Sequence, residues 1–386
     1  MRALIIGGGP AGLATALALR NGGMAATVYE RRAAPDPVGT ALTLWPNAMS
    51  ALRLLGVADE VAAVAQPCDG TQIRRWDGVL LSRTPGAELV ARYGWPGVTL
   101  YRADLIGVLR AALPADAVRW ATTLVDHRVG VTDVTADFAD GSRESASLLV
   151  GADGIRSPVR ARLLDRSGDL RPCGYVVFRG IADLSTEGAP GLMVMGRGAQ
   201  FGAFPLPAGR TYWFASLPDA LAAQVPEASL AWLRRYYRAW CDPVPRLIAA
   251  TPPDWVVRTP ISDRAPLRRW HDDRVVLVGD AAHPSAPTLG QGTCQAIEDA
   301  VVLGECLRGG GPLPPALARF TSLRRGRVAG VTRQAHWMGV LGRWRNPVAC
   351  ALRDGITTHL PRRLQDLQLD QMFTFRAGRI SRPSRR

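Results

Sequence analysis

The sequence contains no lysine; all 47 of its basic residues are arginine. Positive charge therefore resides on guanidinium groups alone, and the formal net charge is +14. A coding bias toward arginine is the plainer reading of this; a field that attracts anionic cofactors is the functional alternative. Cysteine is scattered over Cys68, Cys173, Cys241, Cys294, Cys306 and Cys350, with no Cys-x-x-Cys pair and no histidine cluster nearby. That pattern argues against a metal centre or a disulfide framework and suits a reducing cytoplasm. No run of about 18 apolar residues occurs, which excludes a transmembrane helix. The chain enters a strand at once, leaving no room for a signal peptide. Internal repeats are missing, and low complexity is confined to residues 309–315 and the tail 376–386. The tail carries five arginines among Gly, Ser and Pro. Without aromatic or motif support it is not a nucleic-acid arm, and it reads as disordered.

What is present starts at residue 2. Residues 2–6 are a short apolar run that reads as a buried strand. Gly7, Gly9 and Gly12 follow in G-x-G-x-x-G spacing, residues 11–20 have helical composition, residues 25–29 read as a second strand, and Glu30 closes it. A glycine triplet alone is a weak signal. Between a strand and a helix, with an acid at the end of the next strand, it is a dinucleotide-binding fingerprint. Gly7 permits the tight turn, Gly9 lets backbone approach a pyrophosphate, and Gly12 lets the helix pack closely on the strand. The helix N-terminus offers free N–H groups and a positive dipole end to phosphate. Glu30 is placed to accept hydrogen bonds from an adenosine ribose. The fingerprint by itself does not separate NAD from FAD.

At 386 residues the chain is long for one domain. The pattern predicts an α/β protein with a Rossmann-like nucleotide-binding domain interrupted by an antiparallel sheet and followed by C-terminal helices. Residues 1–172 form the first nucleotide-binding segment, with inserted strands around 71–100. Residues 173–260 form the antiparallel sheet, 261–345 return to the nucleotide domain, and 346–375 form a C-terminal helix. Residues 39–45 alternate loosely as a strand. Asn47 reads as the N-cap of a helix over 48–55, which Gly56 ends. Residues 118–124, 128–132, 134–138 and 147–150 read as strands, with Asp140-Gly141 as a hairpin turn. Residues 275–278 are a buried strand, and helices follow over 291–307 and 315–337.

Three distant stretches then combine. They are Gly7-x-Gly9-x-x-Gly12 with Glu30; Gly151-Ala-Asp153-Gly154-Ile-Arg156-Ser157-x-Val159-Arg160; and Gly279-Asp280-Ala-Ala-His283-Pro284, continuing through Pro287, Gly290, Gln291, Gly292 and Asp299. In this order they resemble the group A FAD-dependent monooxygenases of the para-hydroxybenzoate hydroxylase fold, over nearly the whole chain. Residues 39–47 and 174–180 look most like the urate, salicylate and hydroxynicotinate hydroxylase branch.

The resemblance implies an FAD-dependent enzyme that uses NAD(P)H and O2. Such enzymes hydroxylate or epoxidise an aromatic or polyene small molecule through a flavin hydroperoxide. It implies tightly but non-covalently bound FAD held by Gly7, Gly9, Ala11, Gly12, Glu30, Arg31, Thr43, Arg102, Leu124, Asp153, Asp280, Pro287, Gly290 and Gly292. Asp280 matches an Asp on the ribityl chain, Leu124 a backbone contact to adenine. Asp153 and Gly154 match a motif under the pyrophosphate. NAD(P)H is a transient co-substrate, since no second complete fingerprint occurs. A flavin oxidase or dehydrogenase on the same fold, or a flavin-binding protein without turnover, are the alternatives. Thr43, Trp45, Gln200 and Tyr212 are the residues expected to line the substrate. Gln200 stands where the urate hydroxylase pattern has a substrate-binding Arg, which points to an uncharged or bulkier substrate. His283 reads as a loop cap rather than a base. The protein is expected to be a cytoplasmic monomer or homodimer with no nucleic-acid partner and no metal.

Overall fold

The computed structural model describes residues 1–34, 41–164, 170–225, 229–265 and 267–375. The tail 376–386 and the start of the expected strand at residues 39–40 lie outside the described residues.

Five parallel strands form the nucleotide sheet, in the order Val275–Leu277, Leu148–Gly151, Arg2–Ile6, Ala25–Tyr29 and Val118–Arg119. Residues 3–6 of the central strand are apolar and buried, as a parallel strand covered on both faces requires. Helix Pro10–Asn21 follows, with Pro at a first-turn position where no N–H is needed. It lies against helix Gly292–Leu307; a Cβ on Gly304 would sit 3.0 Å from that of Ala18. The register aligns Ile6, Gly151 and Leu277 across three adjacent strands. The loops that leave these strands, carrying Gly7–Gly9, Asp153 and Asp280, therefore emerge together at the carboxyl edge of the sheet. Ligands of open α/β sheets bind at that edge.

The large second sheet has seven strands, in the order Val257–Asp263, Arg171–Ala182, Arg210–Pro218, Gln200–Leu206, Gly191–Met195, Thr71–Arg75 and Leu80–Thr84. All junctions are antiparallel except that of Gly191–Met195 with Thr71–Arg75, which is parallel. The strands expected around 71–100 thus fall in two places. Two of them extend the large sheet, while Gly97–Tyr101 joins Ala41–Leu44 and Gln66–Cys68 in a three-stranded sheet. One face of the large sheet packs on helices Leu230–Tyr237 and Val244–Ala249 around Phe178, Phe201 and Trp213. The other face sends Ile181, Phe204, Leu206 and Tyr212 into the core of the nucleotide unit.

Three local expectations change. Helix Pro46–Leu55 is entered through Trp45, with Pro46 in its first turn, so Asn47 is not the N-cap. Its amide is used across the core instead. The strand expected over 118–124 stops at Arg119 because Ala121 takes φ 54. Residues 121 and 122 turn back there to donate to the Arg32 and Glu30 carbonyls. The strand expected over 128–132 runs over Leu124–Val129.

A further expectation, one C-terminal helix over 346–375, also changes: long helix Leu313–Gly342 leads to two shorter ones, Pro347–His359 and Arg362–Phe373. Pro361 separates these last two, since a residue before proline is driven out of the helical region; Leu360 is extended at ψ 121. Among the described residues no helix is long and apolar enough to cross a membrane.

Candidate active site

The three expected glycine roles are distinct in the structure. Gly7 has φ +111, and a Cβ there would lie 2.4 Å from the Ala152 carbonyl oxygen. A Cβ on Gly12 would lie 1.9 Å from the Gly7 carbonyl oxygen, so helix and turn touch through bare backbone. Gly9 differs: the nearest atom to a Cβ there is Nη2 of Arg102, at 3.4 Å. Protein atoms therefore fill the space beside Gly7 and Gly12 but leave the approach to Gly9 lined by a cation. That is a cradle for a pyrophosphate. Ala11 abuts Gly279 of the third motif, at 3.0 Å from a Cβ there. The Glu30 carboxylate accepts from the Gly8 N–H at 2.6 Å and the Arg32 N–H at 3.0 Å. A carboxylate has about four acceptor sites, so capacity remains for ribose hydroxyls.

Asp153 follows Gly151 and is part-buried. Its Oδ2 accepts from the Val159 N–H at 3.2 Å. Its Oδ1 is buried with no hydrogen bond among the described residues, Ser157 lying nearby outside bonding geometry. Burial pushes this carboxyl up to about 6, against the pull of Ser157, the Val159 N–H and the nearby Arg31. Arg31 itself is exposed. Asp280 occupies the short turn Gly279–Ala281. It is enclosed by protein in its wider surroundings yet exposed by surface area; both hold for a carboxylate lining a cleft. Burial raises its pKa, and His283 and Arg102 oppose the rise. A Cβ on Gly292, the first residue of the helix that follows, would lie 3.9 Å from Asp280 Oδ1. The carboxylate and a helix N-terminus thus face the same space. Arg102 opens helix Arg102–Ala111. Leu124 opens its strand and is buried. Orphaned Asp153 Oδ1, the open cradle at Gly9 and the acceptor Asp280 fit an FAD molecule.

The third motif is held by a buried polar network whose parts sequence reasoning did not connect. Asp299 accepts from the Gly279 N–H at 2.9 Å, from Arg324 Nε at 2.6 Å, and pairs with His283 Nε2 at 2.5 Å. The loop-cap expectation for His283 is thereby refined: the ring is buried and tied to a carboxylate. Glu298 pairs with Arg324 and with Arg327 at 2.6 Å, and accepts from Asn47 Nδ2 at 2.7 Å. Asn47 also donates to Gln291 at 3.0 Å. Burial pushes both carboxyls up. Arg324 with Arg327 at Glu298, and His283 with Arg324 at Asp299, outweigh it and hold both below their ordinary values. Arg160 donates to the carbonyls of Ala281 and Ala282, at 3.1 and 3.3 Å. It is buried, not on a solvated face. The available signal was an acidic pair, Glu298-Asp299, inside the apolar run Ala296–Leu303.

The substrate-side residues divide between two places. Direct pairing puts Phe204 opposite Tyr212, Gly202 opposite Phe214 and Gln200 opposite Ser216, all on the face toward the nucleotide unit. Four steps of about 3.3 Å each carry the strand from Gln200 to Phe204, roughly 13 Å. Tyr212 is buried beside Arg179, which donates to Thr259 at 2.9 Å. Gln200 is buried and fills the space over Gly342, where a Cβ would lie 1.6 Å from its Nε2. Thr43 faces Thr99 at 3.4 Å between hydroxyls. The Trp45 ring lies edge-on to Phe204 at 6.4 Å. Gly290, at φ +61 after the turn Pro287–Leu289, approaches the indole nitrogen.

Known proteins share this fold. The sequence pattern of the FAD binding domain family matches residues 1–309. Aurachin C monooxygenase/isomerase of Stigmatella aurantiaca is 40% identical over 356 residues, 91% of this chain and 92% of the relative. FAD-dependent urate hydroxylase of Klebsiella pneumoniae is 34% identical over 85% of this chain and 87% of its own length. The structure of Klebsiella pneumoniae HpxO complexed with FAD and uric acid superposes with TM-score 0.88 at 29% identity, covering 96% of each chain. A salicylate hydroxylase substrate complex, at 23% identity and TM-score 0.81, shows the fold alone. The chain belongs to the FAD binding domain family of flavin-dependent aromatic monooxygenases, enzymes that typically draw their electrons from NAD(P)H.

Proposed function

We propose that this enzyme hydroxylates an uncharged aromatic ring held between the Phe204–Tyr212–Phe214 face of the large sheet and the Pro287–Gly290 turn. The observation that carries the reading is Gln200. A neutral amide, buried against Gly342, ends the aromatic wall, so this end supplies no cation to balance a buried substrate charge; Arg179, at the Tyr212 end of the wall, is already engaged with Thr259. FAD, when bound, supplies the two-electron and O2 chemistry. The chain's residues do the rest. Gly9, Glu30, Arg102, Asp153 and Asp280 hold the cofactor, with Ala11, Arg31, Thr43 and Leu124 around it. Helix Gly292–Leu307 directs its positive end at the cleft, favouring negative charge there. The aromatic wall excludes water and fixes the ring plane. Burial raises the Tyr212 pKa against the influence of Arg179, so Tyr212 keeps its proton at neutral pH and offers an O–H to a substrate oxygen.

The test is NAD(P)H-dependent oxygen uptake with paired neutral and carboxylated aromatics, with 18O2 and mass spectrometry of products. Neutral rings are expected to stimulate uptake and gain one 18O atom. Hydroxylation confined to carboxylated rings refutes the role given to Gln200. Peroxide release without any oxygenated product refutes the monooxygenase reading for this chain.

A further inference from the structure

Trp45 is 8% exposed, yet its Nε1–H is buried with no hydrogen-bond partner among the described residues. A buried donor left unpaired costs free energy and calls for an explanation. The ring is gripped on several sides. Phe373, from the end of the C-terminal helix, stacks on it at 5.3 Å and 26°. Phe204 meets it edge-on. A Cβ on Gly97 would lie 3.0 Å from Cε3 and Cζ3, so the benzo edge packs on backbone. The opposite, nitrogen-bearing edge is 3.2 Å from a Cβ built on Gly290. The N–H therefore lies beside Gly290 of the Pro287–Gly290 turn, on a ring that Phe204 of the large sheet also touches.

Phe373 is itself fixed. Arg327 donates to the carbonyls of Gln371 and Met372 at 3.0 and 3.2 Å while bound to buried Glu298. Arg92 binds Asp366 and Asp370 at 2.5 and 2.9 Å. The C-terminal helix is thus clamped at its middle and at its C-terminal end, beside the indole.

We propose that Trp45 Nε1–H is the donor that orients a carbonyl acceptor on the aromatic substrate, and that Phe373 is the positioning residue that aims it. The inference rests on the functional reading above and adds to it the acceptor the substrate must carry. It also gives the C-terminal helix a part in the site, because the aromatic ring that holds the donor arrives more than 300 residues after the donor itself.

The experiment uses the FAD-loaded enzyme and two probes, 2-hydroxybenzamide, which has a carbonyl acceptor, and 2-methylphenol, which has none in that place. Binding is read from the perturbation of the flavin absorbance spectrum, with the FAD dissociation constant measured on the same samples. Trp45→Phe keeps a ring for Phe373 and Phe204 but removes the N–H. It is expected to weaken 2-hydroxybenzamide about tenfold, the scale of one neutral hydrogen bond, and 2-methylphenol less than twofold. Phe373→Ala is expected to erase the same preference, and Phe373→Leu, which keeps most of the bulk, to restore part of it. Equal weakening of both probes, or an unchanged preference in Trp45→Phe, overturns the inference while leaving the functional reading intact. A rise in the FAD dissociation constant without a change in probe preference assigns the N–H to the cofactor and also overturns it. Wild-type enzyme that binds neither probe but binds carboxylated rings overturns the functional reading itself.

Discussion

Replacing Arg324 by Met removes one cation from between two buried carboxylates. Arg324 is 1% exposed, and Glu298 and Asp299 are fully buried. Breaking a buried ion pair by deleting one partner costs about 3–5 kcal/mol, because a charge is left uncompensated. Here each carboxylate keeps something: Glu298 retains Arg327 and Asn47, and Asp299 retains His283 and the Gly279 N–H. The lower end, about 3 kcal/mol, is therefore expected. At roughly 2–4 °C per kcal/mol the melting temperature should fall by about 6–12 °C at pH 7.

The pH dependence gives a sharper test. In wild type both carboxyls sit below their ordinary values. Their stabilisation is present above the unfolded value near 4 and is lost as pH falls through the lower folded value. Without Arg324 the burial penalty weighs more, both folded pKa values rise, and proton uptake relieves the variant as pH falls. The gap to wild type should therefore narrow between pH 7 and pH 4. Thermal unfolding followed by circular dichroism at several pH values measures this. Equal melting temperatures, or a gap that does not change with pH, would refute the electrostatic account of the network. The triple variant with Glu298→Gln and Asp299→Asn should be less damaged than Arg324→Met alone, since no uncompensated carboxylate remains.

Asp280→Ala should weaken FAD binding about ten- to a hundredfold, the worth of a charge-assisted hydrogen bond of about 1.5–3 kcal/mol; titration of the FAD-free protein with FAD checks it, and an unchanged dissociation constant removes Asp280 from the site. Tyr212→Phe and Gln200→Ala should each raise KM for the substrate and lower the fraction of NAD(P)H converted to hydroxylated product, read by product analysis against NAD(P)H consumption. Wild-type coupling and KM in both variants would place the substrate elsewhere.

The parts legible in the sequence were those carried by short-range rules. Gly7, Gly9, Gly12 and Glu30 announce a strand, a turn and a helix because each residue type answers a local backbone demand. The distant Asp153 and Asp280 motifs were legible as motifs, but only strand register shows that Ile6, Gly151 and Leu277 bring them to one edge. Asn47 shows where local rules stop. It reads as a cap because asparagine before a helical run usually caps, yet its amide reaches a carboxylate 251 positions away. Phe373 and Arg327 carried no motif at all; their importance lies in stacking and carbonyl contacts that exist only once the C-terminal helix has docked. The assignment of Thr71–Arg75 to the large sheet was hidden for the same reason, since a strand's sequence does not name its partner.

That strand has a consequence for how the chain is made. Thr71–Arg75 and Leu80–Thr84 emerge from the ribosome early, but among the described strands they join the large sheet through Gly191–Met195. The nucleotide sheet waits longer still, because its edge strand is Val275–Leu277. Neither layer closes on a nascent chain shorter than its last strand, and pairings of such large sequence separation form slowly. The nucleotide fingerprint, although complete within the first thirty residues, therefore has no finished sheet to stand on until more than two thirds of the protein has been synthesised. Until then the half-built edges need shielding from one another, and a fragment ending before residue 277 should aggregate rather than bind nucleotide.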